Sequence, residues 1–347
     1  MQILIDGRSI TPQVSGIGRY TYELTKSYIR EYGINNVKVI LNNPIPEFPY
    51  PVIYCPYFRH GFFDNIEFSF WLSRQKYDIY HAGDSIGPFW HNKKLHRHII
   101  TVHDFMFWNV QDFFRLPPIK KWVRRHKNKL FFKYVLRDAD QIISISRTTQ
   151  EDVKSIYGLD SFVLREGINI LQCDKVAKLT AFRGLQKNNF FFYIGLGMPH
   201  KNIDFMVRAF LQSNTNKLLV ISGKGHKVID NPRIVYTGFI TDSELDFLYR
   251  NCAAFIIPSL YEGFGLPILE ALSYHCKIFS SNAGSLGEFS KEVVFFFNPY
   301  EEEELRALIE NCDNLQVTPK NINEYLKKFS WKDIWEEFHR NERNYRK

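Results

Sequence analysis

Short apolar runs alternate with amphipathic segments along this chain of 347 residues. In the second half, NFFFYIG, KLLVISG, RIVYTGF, AAFIIPS, CKIFSS and VVFFFN are continuous apolar runs rich in Phe, Ile and Val. That is the pattern of strands buried on both faces. Between several of them, NIDFMVRAFLQS, DSELDFLYRNC, GLPILEALSYH and EEEELRALIENC space their apolar residues as helices do. Strands separated by such helices predict a parallel sheet covered on both sides. The first half is less regular, with MQILID, VKVIL, DIYHAG, RHIITVHD and QIISIS as its strand candidates. Two doubly wound sheets follow, and the length exceeds what one ordinary core accommodates. The polar stretch from Ile170 to Asn189 is the expected join. The closing SWKDIWEEFHRNERNYRK predicts a helix anchored by Trp331, Trp335 and Phe338.

Composition narrows the class. Hydrophobic residues at 45% and aromatics at 16% supply a filled interior. The five cysteines include no CxxC pair, which suits reduced thiols and gives no zinc motif. MQILIDGRSI meets an acid and a base within its first eight residues, so no signal peptide is read there. No apolar run reaches membrane-spanning length. A soluble cytoplasmic protein is expected, lying at most on a membrane surface. The net charge of +8 is uneven: residues 1–170 hold 23 Lys and Arg against 16 Asp and Glu. Arg115 to Arg137 alone carries nine basic residues and no acid. A basic amphipathic helix with interleaved Trp122, Leu130, Phe131, Tyr134 and Val135 is predicted there. It could present Lys120, Lys121, Arg124 and Arg125 to anionic lipid headgroups. Nucleic acid is a weaker rival, and a solvated helix packed on its own domain is the bland reading.

The chemistry concentrates in YEGFGLPILEAL, Tyr261 to Leu272. It follows the strand AAFIIPS, and ligands of open parallel sheets bind beyond the carboxyl ends of strands. Gly263 and Gly265 allow close backbone approach, and Pro267 suits a first helical turn. The helix N-terminus offers N–H donors to an anion. Glu262 and Glu270, eight positions apart, would accept hydrogen bonds from hydroxyls; two ordinary surface acids are the alternative.

EGFGLPILEAL resembles the E-x7-E signature of glycosyltransferase family 4, retaining enzymes of the GT-B fold. SGIGRYTYEL resembles that family's glycine loop after the first strand, and TVHDF its histidine loop. YIGLGMPHKN resembles the basic loop of its nucleotide domain, and FSWKDIWEEF its closing helix. Further matches, SISRTTQEDVKSIYGL and YTGFITDSELDFLYRNC among them, extend the resemblance over nearly the whole chain. It implies an α/β GT-B fold of two doubly wound Rossmann-like domains facing a cleft. An acceptor-binding domain would span residues 1–170 and a nucleotide-sugar domain 185–329. Part of residues 330–347 would cross back onto the first.

The resemblance also assigns roles. Lys201 would grip the donor diphosphate, Glu262 the transferred sugar and Glu270 the ribose. Gly16, Gly18 and Arg19 would meet the diphosphate from the first domain, with His103 close to the reacting bond. Phe264, Gly265 and Leu266 would offer backbone N–H groups, and Gly238, Phe239 and Ile240 would edge the base pocket. Leu196 and His200 stand where many relatives carry an arginine. Asp138 and Asp140 mimic a metal-binding DxD but are read as turn and cap acids. No metal or other cofactor is expected. The implied reaction is transfer of a hexose with retained configuration to a glycan or polyprenyl-diphosphate-linked glycan of a bacterial surface polysaccharide. GDP-mannose is the first choice of donor, from PHKN, with UDP-sugars and dTDP-rhamnose as alternatives. A nucleotide-sugar epimerase on the same fold is one rival. A dinucleotide oxidoreductase is another, but Thr21 replaces the third glycine of its fingerprint.

Overall fold

The computed structural model describes residues 1–11, 16–57, 61–110, 113–114, 116–168 and 184–345. Two units emerge: Met1–Trp108, Arg115–Gly167 and Trp331–Lys347 form the first, Asn109–Phe114 and Ile168–Ser330 the second. Most of the polar join, residues 169–183, lies outside the described residues.

The first unit is built on a parallel sheet of β1 (Ile3–Asp6), β2 (Val37–Leu41), β3 (Val52–Tyr54), β4 (Ile79–Ala82), β5 (Arg97–Val102), β6 (Gln141–Ser144) and β7 (Phe162–Val163). Their order is β3-β2-β1-β4-β5-β6-β7. The edge strands β3 and β7 escape the sequence reading because three and two residues are too few to show a run. Helices α1 (Gly16–Tyr32), α2 (Phe62–Ser73), α3 (Met106–Asn109), α4 (Pro118–Asp138) and α5 (Arg147–Tyr157) complete its first part. On α1, Tyr20, Leu24 and Tyr28 recur every fourth residue and are buried against the sheet. Helix α5 begins where the Ser146 hydroxyl accepts from the Thr149 N–H and stops at left-handed Gly158.

This core also holds a polar chain. Tyr28 Oη lies 3.0 Å from His81 Nδ1, His81 Nε2 3.0 Å from Thr101 Oγ1, and Thr101 Oγ1 3.2 Å from Tyr20 Oη. Burial pushes the His81 pKa down to about 3, so the ring is neutral and its hydrogen bonds cost no buried charge.

Helix α4 departs from expectation. It carries apolar residues on two faces, not one. Val135 and Leu136 are buried, and Phe131 and Phe132 pack against Phe89 and Phe107. Ile119, Trp122, Val123, Leu130 and Tyr134 are exposed. Their spacing places them along one side of the helix. Among the basic residues, the Arg125 guanidinium and Lys129 Nζ turn onto the Trp108 ring, 5.0 and 4.2 Å from its centroid. No described helix is long and apolar enough to cross a membrane.

The second unit has a parallel sheet of β8 (Phe190–Ile194), β9 (Leu218–Ser222), β10 (Ile234–Gly238), β11 (Ala254–Ile257), β12 (Ile278–Ser281) and β13 (Phe295–Phe297), ordered β10-β9-β8-β11-β12-β13. Five helices follow: α6 (Ile203–Gln212), α7 (Asp242–Asn251), α8 (Leu266–Ser273), α9 (Glu302–Glu310) and α10 (Pro319–Leu326). Phe191, Phe210, Phe279 and the stacked pair Phe205 and Phe297 fill one side of the sheet. A reciprocal Thr241–Glu244 capping box starts α7. Helix α10 is invisible to periodicity because only Ile322 is buried.

The last helix, α11 (Trp331–Tyr345), belongs to the first unit. Trp331, Ile334, Trp335 and Phe338 join Ile3, Ile5, Tyr20, Leu24 and Tyr28 in one core. His339 Nε2 lies 2.6 Å from Ser27 Oγ of α1. Phe338→Ala is therefore expected to destabilise the first unit by about 3–5 kcal/mol. Urea unfolding followed by hydrogen exchange on peptides of each unit checks this. Unchanged protection of the β1 and α1 peptides would show that α11 is dispensable to that core.

Candidate active site

In the second unit, strand order reverses between β8 and β11, so the loops that follow these two strands diverge from their crossovers and leave room for a ligand. Lys201 ends the first loop, in the turn Pro199–Lys201, and Glu262 lies in the second. The loops are tied where the Leu260 N–H donates to the His200 carbonyl at 2.7 Å. Lys201 Nζ donates to Glu262 Oε1 at 2.6 Å, and the Ser259 hydroxyl donates to the same oxygen at 2.6 Å. Glu262 is buried, which excludes an ordinary surface acid. Its main chain is fixed too, because the Ser285 hydroxyl sits 2.8 Å from the Glu262 carbonyl and 3.1 Å from that of Phe264.

Gly265 caps α8 at φ 111°, and a Cβ there would stand 2.8 Å from Leu286 Cδ2. Conformation and space both demand glycine. Gly263 and Phe264 are buried beside it, and Leu266 and Pro267 open the helix. Glu270 sits in the second turn of α8, where Tyr249 Oη donates to its Oε2 at 3.4 Å. Gly238 ends β10 at φ 68°, Phe239 is exposed with Lys224 Nζ 5.8 Å above its ring, and Ile240 is half-buried. A close approach elsewhere is equally strict: a Cβ on Gly197 would lie 1.9 Å from the Gly225 carbonyl.

Leu196 and His200 add no charge to this cluster. Leu196 is exposed. His200 is buried, and burial together with the Lys201 charge pushes its pKa down to about 4.

In the first unit, Gly16 opens α1, Gly18 is buried and Arg19 half-buried, while residues 12–15 of the preceding loop lie outside the described residues. His103 follows β5. Its Nε2 lies 2.9 Å from the Gly83 carbonyl and its Nδ1 3.2 Å from Glu166 Oε1. Tyr20 packs edge-on at 5.0 Å. Gly83 is held close to α1, because a Cβ there would stand 2.5 Å from Thr21 Oγ1. Thus the expected residues fall into two groups, one per unit.

Ser259, Ser285, Tyr249 and Glu166 complete these groups and escaped the sequence reading. Isolated hydroxyls and a lone acid before Gly167 carry no pattern. Asp138 and Asp140 do not serve as turn acids; they bracket His91, whose Nδ1 is 2.5 Å from Asp138 Oδ2 and whose Nε2 is 2.8 Å from Asp140 Oδ2.

Residues 14–170 match the family model described as Glycosyltransferase Family 4, and residues 179–329 match the model described as Glycosyl transferases group 1. The O-antigen chain mannosyltransferase RfbU of Salmonella typhimurium is 23% identical over 255 residues, 69% of this chain and 67% of its own length. The O-antigen chain mannosyltransferase B of Escherichia coli is 31% identical over 163 residues, 41% and 42% of the two chains. Among solved structures, WaaG, a glycosyltransferase involved in lipopolysaccharide biosynthesis, superposes with a TM-score of 0.71 at 14% identity, covering 97% of this chain and 98% of its own. Anabaena HepE in complex with UDP-glucose gives 0.70 at 16% identity, covering 99% and 100%. These likenesses carry the fold, GT-B.

The depressed His200 pKa makes stability depend on pH. Between 6.5 and about 4 the unfolded chain binds a proton that the native ring refuses, so stability falls as pH falls through that window. His200→Gln should flatten this fall, measured as the urea midpoint from pH 7 to pH 4. An unchanged slope would mean that the ring is protonated in the native state.

Proposed function

The chain belongs to glycosyltransferase family 4, and on that premise we propose that it transfers a hexose, with mannose from GDP-mannose as first choice, in bacterial surface-polysaccharide synthesis. The Lys201–Glu262 pair carries this reading: a cation and a buried carboxylate, locked 2.6 Å apart where the strand order of the second sheet reverses. A donor diphosphate would draw Lys201 from Glu262 and leave it facing the leaving group, whose charge grows as the glycosidic bond breaks. Glu262, still held by Ser259, would accept from hydroxyls of the sugar. The N–H groups of Phe264, Gly265 and Leu266 at the start of α8 suit the phosphates. Glu270 would take the ribose diol, with Gly238, Phe239 and Ile240 beside the base. From the first unit, Gly16, Gly18, Arg19 and His103 would serve the diphosphate and the reacting sugar.

Glu262 is committed to a lysine and a serine, which favours a front-face route over a covalent glycosyl-enzyme. In that route the leaving diphosphate accepts the acceptor hydroxyl's proton, the new bond forms on the face the diphosphate vacates, and configuration is retained. Charge stabilisation falls to Lys201 and the α8 amides, so no divalent metal or other cofactor is assigned to the donor.

The two O-antigen mannosyltransferase relatives support mannose and a glycan acceptor. A polyprenyl-diphosphate-linked glycan would place the protein peripherally at the cytoplasmic membrane face, without nucleic acid. The exposed row Ile119, Trp122, Val123, Leu130 and Tyr134 on α4, flanked by Lys120 and Arg124, suits that surface.

A thermal-shift panel tests the donor: GDP-mannose should raise the midpoint more than UDP-sugars or dTDP-rhamnose. A larger shift with a UDP-sugar would replace mannose in this reading. Lys201→Ala should slow transfer about 10²–10³-fold. Glu270→Ala should weaken binding of the nucleoside diphosphate itself, whereas Glu262→Ala should spare that binding and impair transfer. Equal losses of nucleotide affinity would contradict the separate roles.

Anionic vesicles should bind the chain in a salt-sensitive manner, and the triple variant Lys120→Gln, Lys121→Gln, Arg124→Gln should lose that binding while keeping donor hydrolysis. Arg125 is left intact because it packs on Trp108. Undiminished vesicle binding by the triple variant would make α4 a solvated face.

A further inference from the structure

Glu166 is a carboxylate kept almost wholly from water, 4% exposed. Among the described residues, His103 is the one basic side chain within 4 Å of it, Nδ1 standing 3.2 Å from Oε1. A buried carboxylate held by so little is costly, and a neutral residue of similar shape would suit the fold better. Groups retained against stability belong to functional sites. We propose that Glu166 is a positioning residue of the transfer reaction, setting the orientation and the charge of the His103 ring. The proposal rests on the reading that places His103 at the reacting sugar.

Topology brings the two side chains together. Val102 of β5, Ser144 of β6 and Val163 of β7 stand in register across the sheet. His103 leaves it one residue past that line and Glu166 three, and they meet across the end of β6. Their strands are about 10 Å apart, a span that long side chains close. The acid is braced from behind, because Gly167 lies against α11, where a Cβ would stand 2.5 Å from Trp331 Cδ2. The histidine is braced as well. Ser85 Oγ accepts from its backbone N–H at 3.2 Å, the Thr149 hydroxyl donates to its carbonyl at 3.1 Å, and Tyr20 packs on the ring.

The two ring nitrogens meet the same demand from different neighbours. Nε2 lies 2.9 Å from the Gly83 carbonyl, which only accepts, so this nitrogen carries a proton. Nδ1 faces the Glu166 carboxylate, which also accepts when ionised. A ring that serves both partners donates from both nitrogens and keeps no lone pair with which to act as a base. Its charge is then matched by the acid, and the pair is neutral as a unit. That neutrality matters beside a sugar that gains positive charge as its glycosidic bond breaks. An unmatched imidazolium would oppose that charge. The Gly83 carbonyl has a second donor at hand in Thr21 Oγ1, 3.3 Å away. The Nε2–H is therefore able to turn to a sugar hydroxyl without leaving the carbonyl bare.

The test is Glu166→Gln in the full chain, which keeps the shape and removes the charge. It should lower kcat about 10²-fold with KM for the donor little changed, as for a group misplaced beside the reacting bond. The thermal midpoint should hold or rise, because a buried charge is gone; a residue that served only the fold would lower it. In a His103→Ala background, Glu166→Gln should cause no further loss of rate, since the acid acts through the ring. Rates are taken with the donor that gives the largest thermal shift, so a different sugar leaves the test intact. A glutamine variant as fast as the parent overturns the proposal. So does one whose lost rate follows a fallen midpoint, or one whose loss adds in full to that of His103→Ala. If the parent transfers no sugar at all, the functional reading has failed, and the pairing is judged from the ring-nitrogen NMR resonances of His103. Glu166→Gln should move them, and unmoved resonances overturn the pairing itself.

Discussion

A parallel sheet whose crossovers are all right-handed can cover both faces only by reversing its strand order once. Both sheets here reverse in the same way, at β1 and β4 in the first unit and at β8 and β11 in the second. The reversal separates two neighbouring loops, because their helices leave toward opposite faces. In the second unit a paired cation and carboxylate stand in that gap. Lys201 arrives from one loop and Glu262 from the other, and the backbone bond from Leu260 to His200 fixes their spacing. Without the reversal, a helix would fill that space.

The two units keep their polar groups differently. The first threads Tyr28, His81, Thr101 and Tyr20 through its core, each hydroxyl or ring nitrogen meeting another. The second packs phenylalanines on its sheet and moves its serines to strand ends, where Ser259 and Ser285 hold the loop of Glu262. A buried carboxylate needs such donors, since an unsatisfied charge in the interior is costly. Glu262 is therefore a fixed acceptor whose geometry is set before any ligand arrives.

The second half was legible because its strands are long enough to form runs and its helices keep period. EGFGLP announced a strand-to-helix turn and its glycines, and Gly265 proves to be required by both φ and space. The first half was harder to read. Strands β3 and β7 are too short for a pattern, and α4 hid its inner face behind an exposed apolar row. Supporting residues were not legible. Glu166 reaches His103 only because β7 brings it there, and the pairing of Asp138 and Asp140 with His91 joins positions nearly fifty residues apart. Such contacts depend on topology and leave no local trace.

The place of α11 has a consequence in time. The first unit's core is incomplete until Trp331, Ile334, Trp335 and Phe338 exist, yet roughly 160 residues separate its penultimate segment from them. At about 5–20 residues per second of synthesis, the ribosome needs on the order of ten to thirty seconds to cross that interval. Through it, the faces of Tyr20, Leu24 and Tyr28 that α11 will cover stay uncovered. The second unit, all of whose own segments precede α11, can close its core first. The half that is made first is thus the half that finishes last.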